Sequence, residues 1–229
     1  MSDIPDTLSS SSIGLEAAKI LLDINAVNFR PEEPYILTSG WASPVYIDCR
    51  KLISYPDERH RMMELAVANL DNDIGFEDID AVAGGETAGI PYSSWIAQIT
   101  GKPMLYVRKK PKGFGRNAQI EGDLGEGSQV LLVEDLATDG ASKLLFVNAL
   151  REAGAVVTDT FVVFFYGVFE GALKALEKEG IALHYLATWH DVLEAAEAGG
   201  YFPDEAIEGV RDFLKDPQGW SRAHGGKAD

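Results

Sequence analysis

The chain is 229 residues long, the size of one α/β domain, and with 46% hydrophobic and 10% aromatic residues it can fill a core without a disulfide or structural metal. Its 20 basic and 36 acidic residues give a formal net charge of −16, which argues against duplex nucleic acid as partner, because that binding neutralises phosphates with a basic face. A single cysteine, Cys49, four histidines without zinc-like spacing, no signal-peptide pattern and no apolar run near the roughly 18 residues that span a bilayer lead us to expect a cytoplasmic protein with a small-molecule partner and no membrane.

The polar, Ser-rich residues 1–12 are expected to be disordered. Leu15, Ala18, Leu22 and Ile24 then recur at helical spacing within residues 14–28, and Pro31 and Pro34 stop that helix. Short strands are expected at 35–37 and 45–47 around Ser39-Gly40, followed by a helix with an acidic start at Asp57 that carries Met62, Met63, Leu65, Ala66 and Leu70. From there apolar runs alternate with helical stretches, the order of a mainly parallel sheet flanked by helices. A strand at 79–83 is predicted to meet a tight turn from Gly84 to Gly89, a helix at 90–100 closed by Gly101, and a strand at 104–107. Residues 108–128 are rich in Gly and charge and lack apolar periodicity, which inside a compact domain marks a functional or mobile loop. A strand resumes at 130–133, a helix at 141–153 has Leu144, Leu145, Val147 and Leu150 as its buried candidates, and 161–165 reads as a fully buried strand. Helices at 171–179 and 204–214 flank a last strand at 181–186, and residues 1–229 read as a single domain.

The segment that carries chemistry runs from Val130 to Lys143: an apolar strand ends in Glu134 and Asp135, then turns through Leu136, Ala137, Thr138, Asp139 and Gly140 into a helix at Ala141 and Ser142. Ligands of open α/β sheets bind at the carboxyl ends of strands, and a helix start offers N–H groups and a positive dipole end to phosphate, so Thr138 to Ser142 can cradle one phosphate. The acids suit ribose hydroxyls, and they also place negative charge beside a cation developing on the sugar ring. By itself an acid pair fits equally a solvated strand end that caps the next helix. Upstream, Lys109, Lys110, Lys112 and Arg116 are concentrated between glycines of an acidic protein, as a cationic cover for a pyrophosphate group or as an exposed hairpin. Gly113-Phe114-Gly115 lacks the third glycine and the strand–turn–helix setting of a dinucleotide site, and a Walker lysine motif is absent.

The acid-pair segment resembles the phosphoribosyl pyrophosphate motif of the type I phosphoribosyltransferases. Residues 37–48, Thr87-Ala88-Gly89-Ile90-Pro91 and residues 107–122 are similar to the N-terminal signature, the substrate-side turn and the mobile catalytic loop of the orotate phosphoribosyltransferases, so the resemblance covers most of the chain. It implies the type I fold, with an N-terminal hood at 14–75 and a flexible catalytic loop at 108–122. It also implies transfer of ribose 5-phosphate from phosphoribosyl pyrophosphate to orotate, on the route to UMP. On that resemblance Arg108, Lys109 and Lys112 bind pyrophosphate, Glu134 and Asp135 the ribose, and Thr138 to Ser142 the 5′-phosphate, with Leu136 and Ala137 also among the residues that bind phosphoribosyl pyrophosphate. Thr87, Ala88, Gly89 and Thr138 meet orotate, and Lys109, Glu134 and Asp135 are the catalytic residues. Mg2+ would be held by substrate oxygens rather than a protein cluster, and the family implies a homodimer that shares its loop residues.

Three positions depart from the family pattern: Thr38 stands where many members have Lys, Phe114 where a loop His is usual, and Tyr166 near the place of an orotate-binding Arg. Phe114 cannot move a proton, and backbone N–H groups of Thr87 to Gly89 are the candidates to meet the orotate carboxylate. Two alternatives stay open at this point: a phosphoribosyltransferase for a different base, and a non-catalytic regulator that senses phosphoribosyl pyrophosphate.

Overall fold

A computed structural model of the chain describes residues 10–37, 39–113, 119–138, 141–168 and 171–227. In chain order its first elements are α1 (Ser10–Asp23), β1 (Val27–Phe29), β2 (Tyr35–Ile36), β3 (Ala42–Ser43), β4 (Val45–Ile47), a 3-10 turn (Cys49–Ser54) and α2 (Pro56–Asp73). The central elements are β5 (Ala81–Gly85), α3 (Gly89–Thr100), β6 (Met104–Val107), β7 (Ile120–Glu121), β8 (Val130–Ala137) and α4 (Ala141–Glu152). Then come β9 (Asp159–Phe165), α5 (Ala172–Lys178), β10 (Ala182–Ala187), α6 (Trp189–Gly199), α7 (Asp204–Lys215) and α8 (Pro217–Ala223). They form two compact units, one of residues up to Tyr55 together with those from Ala187 onward, the other of Pro56–Leu186.

In the first unit α1 buries Ile13, Ala17, Ala18 and Leu21, the three-to-four spacing that makes one apolar face. The helix stops earlier than residue 28 because Asn25 takes a left-handed backbone (φ 55°), after which Val27–Phe29 pairs antiparallel with β4. Phe29 stacks on Phe202 with ring centroids 4.3 Å apart, and α6 packs on α1. The sequence signals missed α6, whose first turn is fixed by the Asp191 carboxylate accepting from both the Thr188 N–H and hydroxyl at 2.7 Å. Near the end of the chain, the Ser221 hydroxyl accepts from Ala42 N (2.9 Å) and donates to the Lys227 carbonyl (2.8 Å). Cys49 is buried in the same unit.

In the second unit the described strands are ordered β10-β9-β8-β5-β6-β7. Pairs β5–β6, β5–β8 and β8–β9 are parallel, and β7 runs antiparallel along β6. One face packs on α3, which contributes the buried Tyr92 and Ile96; on the other, Phe146, Val147 and Leu150 of α4 and Leu176 of α5 close over Ala81, Ala83, Leu105, Val130 and Leu132. Two strand limits differ from expectation. β5 occupies 81–85 rather than 79–83, because Gly84 and Gly85 continue the ladder with β6 instead of turning. A Cβ on Gly85 would fall 2.7 Å from Phe146, and one on Gly89 would collide with the Val133 carbonyl, so these glycines permit the close approach of strand, helix and β8. β8 runs four residues past the expected end, because its ladder with β9 continues through Glu134↔Val162 to Ala137↔Phe165. The predicted loop also holds β7, too short to show a period. No described helix is long and apolar enough to cross a membrane.

His184 of β10 ties this edge strand to two neighbours: Nδ1 lies 3.1 Å from Asp73 at the end of α2, and Nε2 lies 2.8 Å from Asp159 of β9. Burial disfavours the charged ring, but the hydrogen bonds it donates to Asp159 and Asp73 outweigh that and raise its pKa. The His184 hydrogen bond, opposed by burial and helped by Thr158, lowers that of Asp159. The imidazolium's contribution to stability is therefore complete below its unfolded pKa of about 6.5 and is lost as pH rises through the higher folded value. That of Asp159 is present above about 3.9 and lost as pH falls through its lower folded value. Thermal melts from pH 6 to pH 9 are expected to show wild-type stability falling more steeply than that of His184→Gln; parallel curves would contradict this.

Candidate functional site

The carboxyl ends of β5, β6 and β8 lie side by side, with Gly84 opposite Val133 on one flank and Gly85 opposite Val107 on the other. Three of the four segments singled out in the sequence leave the sheet there: Thr87 to Gly89 from β5, Arg108 to Lys112 from β6, and Glu134 to Thr138 along and beyond the end of β8. Parallel order thus collects at one edge groups that are 50 residues apart in the chain, the edge at which open α/β sheets bind ligands.

The acid pair lies within the strand, not beyond it. Successive side chains of a strand point to opposite faces, so Glu134 turns toward α4 and Asp135 away from it. Glu134 is 7% exposed, and its Oε2 lies 2.6 Å from the Lys143 ammonium, which is 3% exposed and also donates to the Leu136 carbonyl. Lys143 is the neighbour of the acid pair that sequence reasoning left without a role; its signal was a lysine in the first turn of the helix that follows the two acids, in line with the buried Val147 and Leu150. Asp135 is half-buried, and its pKa is raised first by burial and then by the Glu134 charge, with Lys143 pulling partly the other way.

Ala137 is buried and Thr138 half-buried at the mouth of α4. Asp139 and Gly140 lie outside the described residues, as do Thr38 and Phe114, and so do the side chains of Ala141 and Ser142. Tyr166 follows β9, is 4% exposed, and donates its backbone N–H to the Ala137 carbonyl (2.8 Å).

α3 begins after the Thr87 turn with Ala88 at its N-cap, a residue that has no side-chain acceptor, so no N-cap side chain caps the first-turn N–H groups. Glu86, also missed in the sequence, accepts the Lys109 N–H at 2.7 Å and donates its own N–H to the Val107 carbonyl (2.9 Å), joining the β5 turn to the cationic segment. Arg108 and Lys112 both pair with Glu121 of β7. Among the described residues no group of three or more His, Cys, Asp and Glu side chains is placed to hold a metal ion.

No protein-family model matches the chain. The orotate phosphoribosyltransferase of Cereibacter sphaeroides is 54% identical over 206 residues, 90% of this chain and 89% of the relative. The crystal structure of orotate phosphoribosyltransferase from Aeropyrum pernix is 32% identical with a TM-score of 0.68, covering 81% of this chain and 99% of that one. The structure of the Mycobacterium tuberculosis H37Rv enzyme of the same name, in complex with phosphoribosyl pyrophosphate, is 26% identical with a TM-score of 0.61, over 79% of this chain and 98% of that one. The fold is that of the type I phosphoribosyltransferases.

Removing Lys143 alone strands a buried carboxylate, which costs about 3–5 kcal/mol, whereas removing both partners costs much less. Chemical denaturation of Lys143→Met is expected to show a loss of that size, with most of it restored in Glu134→Gln/Lys143→Met. Additive losses in the double variant would show that the two side chains do not act as a pair.

Proposed function

The chain belongs to the orotate phosphoribosyltransferase family, and from that membership we propose that it transfers the ribose 5-phosphate group of phosphoribosyl pyrophosphate to N1 of orotate, giving orotidine 5′-phosphate and diphosphate in pyrimidine biosynthesis. The observation that carries the proposal is the meeting of Asp135, the Thr87-to-Gly89 turn and the Arg108 segment at the carboxyl ends of three adjacent parallel strands.

In this reading Asp135 accepts hydrogen bonds from the ribose hydroxyls and stabilises the positive charge that grows on the ring as the bond to pyrophosphate stretches, whereas Glu134, expected to share that role, faces α4 and holds Lys143 instead. The start of α4, with Thr138 ahead of it, takes the 5′-phosphate, and Arg108, Lys109 and Lys112 take the charge of the leaving group. The N–H groups at the start of α3 meet the orotate carboxylate and hold N1 toward the anomeric carbon. Rate then comes from positioning and preset charge rather than from a covalent enzyme intermediate. Mg2+ would be bound mainly through pyrophosphate and sugar oxygens and would neutralise the leaving group; the half-buried Asp135 carboxylate is an oxygen donor of the kind this ion takes. We further read the protein as a cytoplasmic homodimer whose cationic segments are shared between subunits.

Mixing purified protein with orotate, phosphoribosyl pyrophosphate and Mg2+ is expected to lower orotate absorbance, and omission of any component or addition of chelator to abolish the change. Activity with another base and none with orotate would contradict the proposal. Asp135→Asn is expected to lower turnover by about 100-fold with an unchanged melting temperature, as loss of a charge-stabilising group does. Because the Asp135 pKa is raised, wild-type kcat/KM for phosphoribosyl pyrophosphate is expected to fall with acidification at a pH above the ordinary carboxylate range of about 4. A limb unchanged in Asp135→Asn would remove that assignment.

A further inference from the structure

Two of the three cations assigned to pyrophosphate already hold an anion. Arg108 Nη1 lies 3.5 Å from Glu121 Oε1, and Lys112 Nζ pairs with the same oxygen. The backbone fixes where this carboxylate stands: β7 pairs with β6 at Val107↔Ile120 and Tyr106↔Glu121, the Arg108 N–H donates to the Gln119 carbonyl (2.8 Å), and the Gln119 side-chain amide returns a bond to the Arg108 carbonyl (3.0 Å). Hydrogen bonding from Lys112, and then the charges of Lys112 and Arg108, hold the Glu121 carboxyl below the usual carboxylate range against a smaller opposing effect of burial. One donor is left over, since Arg108 Nε is buried with no hydrogen-bond partner among the described residues. The three side chains keep 33%, 53% and 27% of their surface for Arg108, Lys112 and Glu121, so an anion from solvent can reach them.

A carboxylate offers these cations one charge and two oxygens. Pyrophosphate offers more of both, and it can use the Arg108 donor that Glu121 leaves unmet. We propose that Glu121 is an internal competitor for pyrophosphate: it neutralises Arg108 and Lys112 in the substrate-free enzyme, yields them to the pyrophosphate group, and recaptures them as that product leaves. This rests on the assignment of Arg108 and Lys112 to pyrophosphate made above. The pairing also explains how an exposed cation pair is kept gathered at the end of β6 without a substrate.

Glu121→Gln keeps the shape of the side chain and removes the competing charge. Calorimetric titration of Mg2+-pyrophosphate into the full-length protein is expected to give a dissociation constant about three- to tenfold lower in Glu121→Gln than in wild type, the scale of two partly exposed ion pairs. Steady-state kinetics are expected to show KM for phosphoribosyl pyrophosphate and kcat falling together, because a slower product release limits turnover. Glu121→Asp, which keeps the charge on a shorter arm, should fall between the two and serves if the amide variant is unstable. Unchanged or weaker pyrophosphate binding by the folded variants would overturn the inference and mark Glu121 as a brace for β7 alone. Failure of wild type itself to bind pyrophosphate would instead overturn the assignment of the cations, and the inference with it.

Discussion

Where the strand Val130–Ala137 gives way to helix α4, a carboxylate and an ammonium meet 2.6 Å apart, both almost sealed from water. Neither charge is tolerable there alone, since desolvation of each costs several kcal/mol, and together they hold only if the geometry is close and the remaining donors are met. The Leu136 carbonyl meets one of them. The pair fixes the first turn of α4 against the end of β8, so the helix start and Asp135, the phosphate and ribose positions of the proposed reaction, are set by one contact. It also sets the electrostatics of Asp135, whose neighbour's charge is partly offset from the far side of the sheet.

Much of the surrounding architecture serves to let that contact form. Gly85 and Gly89 carry no side chain because Phe146, the Glu134 carboxylate and the Val133 carbonyl occupy the space a Cβ would need. The parallel register then brings the β5 turn and the β6 cations to the same edge. In a chain of net charge −16, an anionic substrate meets a largely repulsive surface, and the cations beyond β6 supply local attraction where the whole molecule does not. Glu86 and Glu121 hold that cationic segment from two sides, one through the backbone at Lys109 and the other through the side chains of Arg108 and Lys112.

The alternation of apolar runs with helical stretches announced the parallel sheet, because it is a local pattern. The acid pair and the clustered lysines, by contrast, each fitted a bland reading as well, and the chemistry came from the family resemblance that their segments carry. The end of β8 was misplaced because hydrophobicity stops at Val133, whereas the ladder with β9 depends on a partner strand some 30 residues away. α6 and α8 carry short or mixed apolar faces that become meaningful only against α1 and β3. Lys143 looked like any helix lysine until the fold placed it under Glu134. The counter-anions of the cationic segment were likewise invisible, since Glu121 meets Lys112 across a strand pair and Glu86 meets Lys109 across 23 residues. In each case the missing information is which distant element the fold sets beside the residue.

The central claim is transfer of one ribose 5-phosphate from pyrophosphate to orotate at this edge of the sheet. Phosphorus NMR of the full-length protein with phosphoribosyl pyrophosphate and Mg2+ follows that transfer atom by atom. The expected result is a spectrum that stays unchanged until orotate is added, after which diphosphate and a new nucleotide monophosphate grow in equal amounts. Release of diphosphate without orotate, or in its presence without a matching nucleotide signal, would contradict the account.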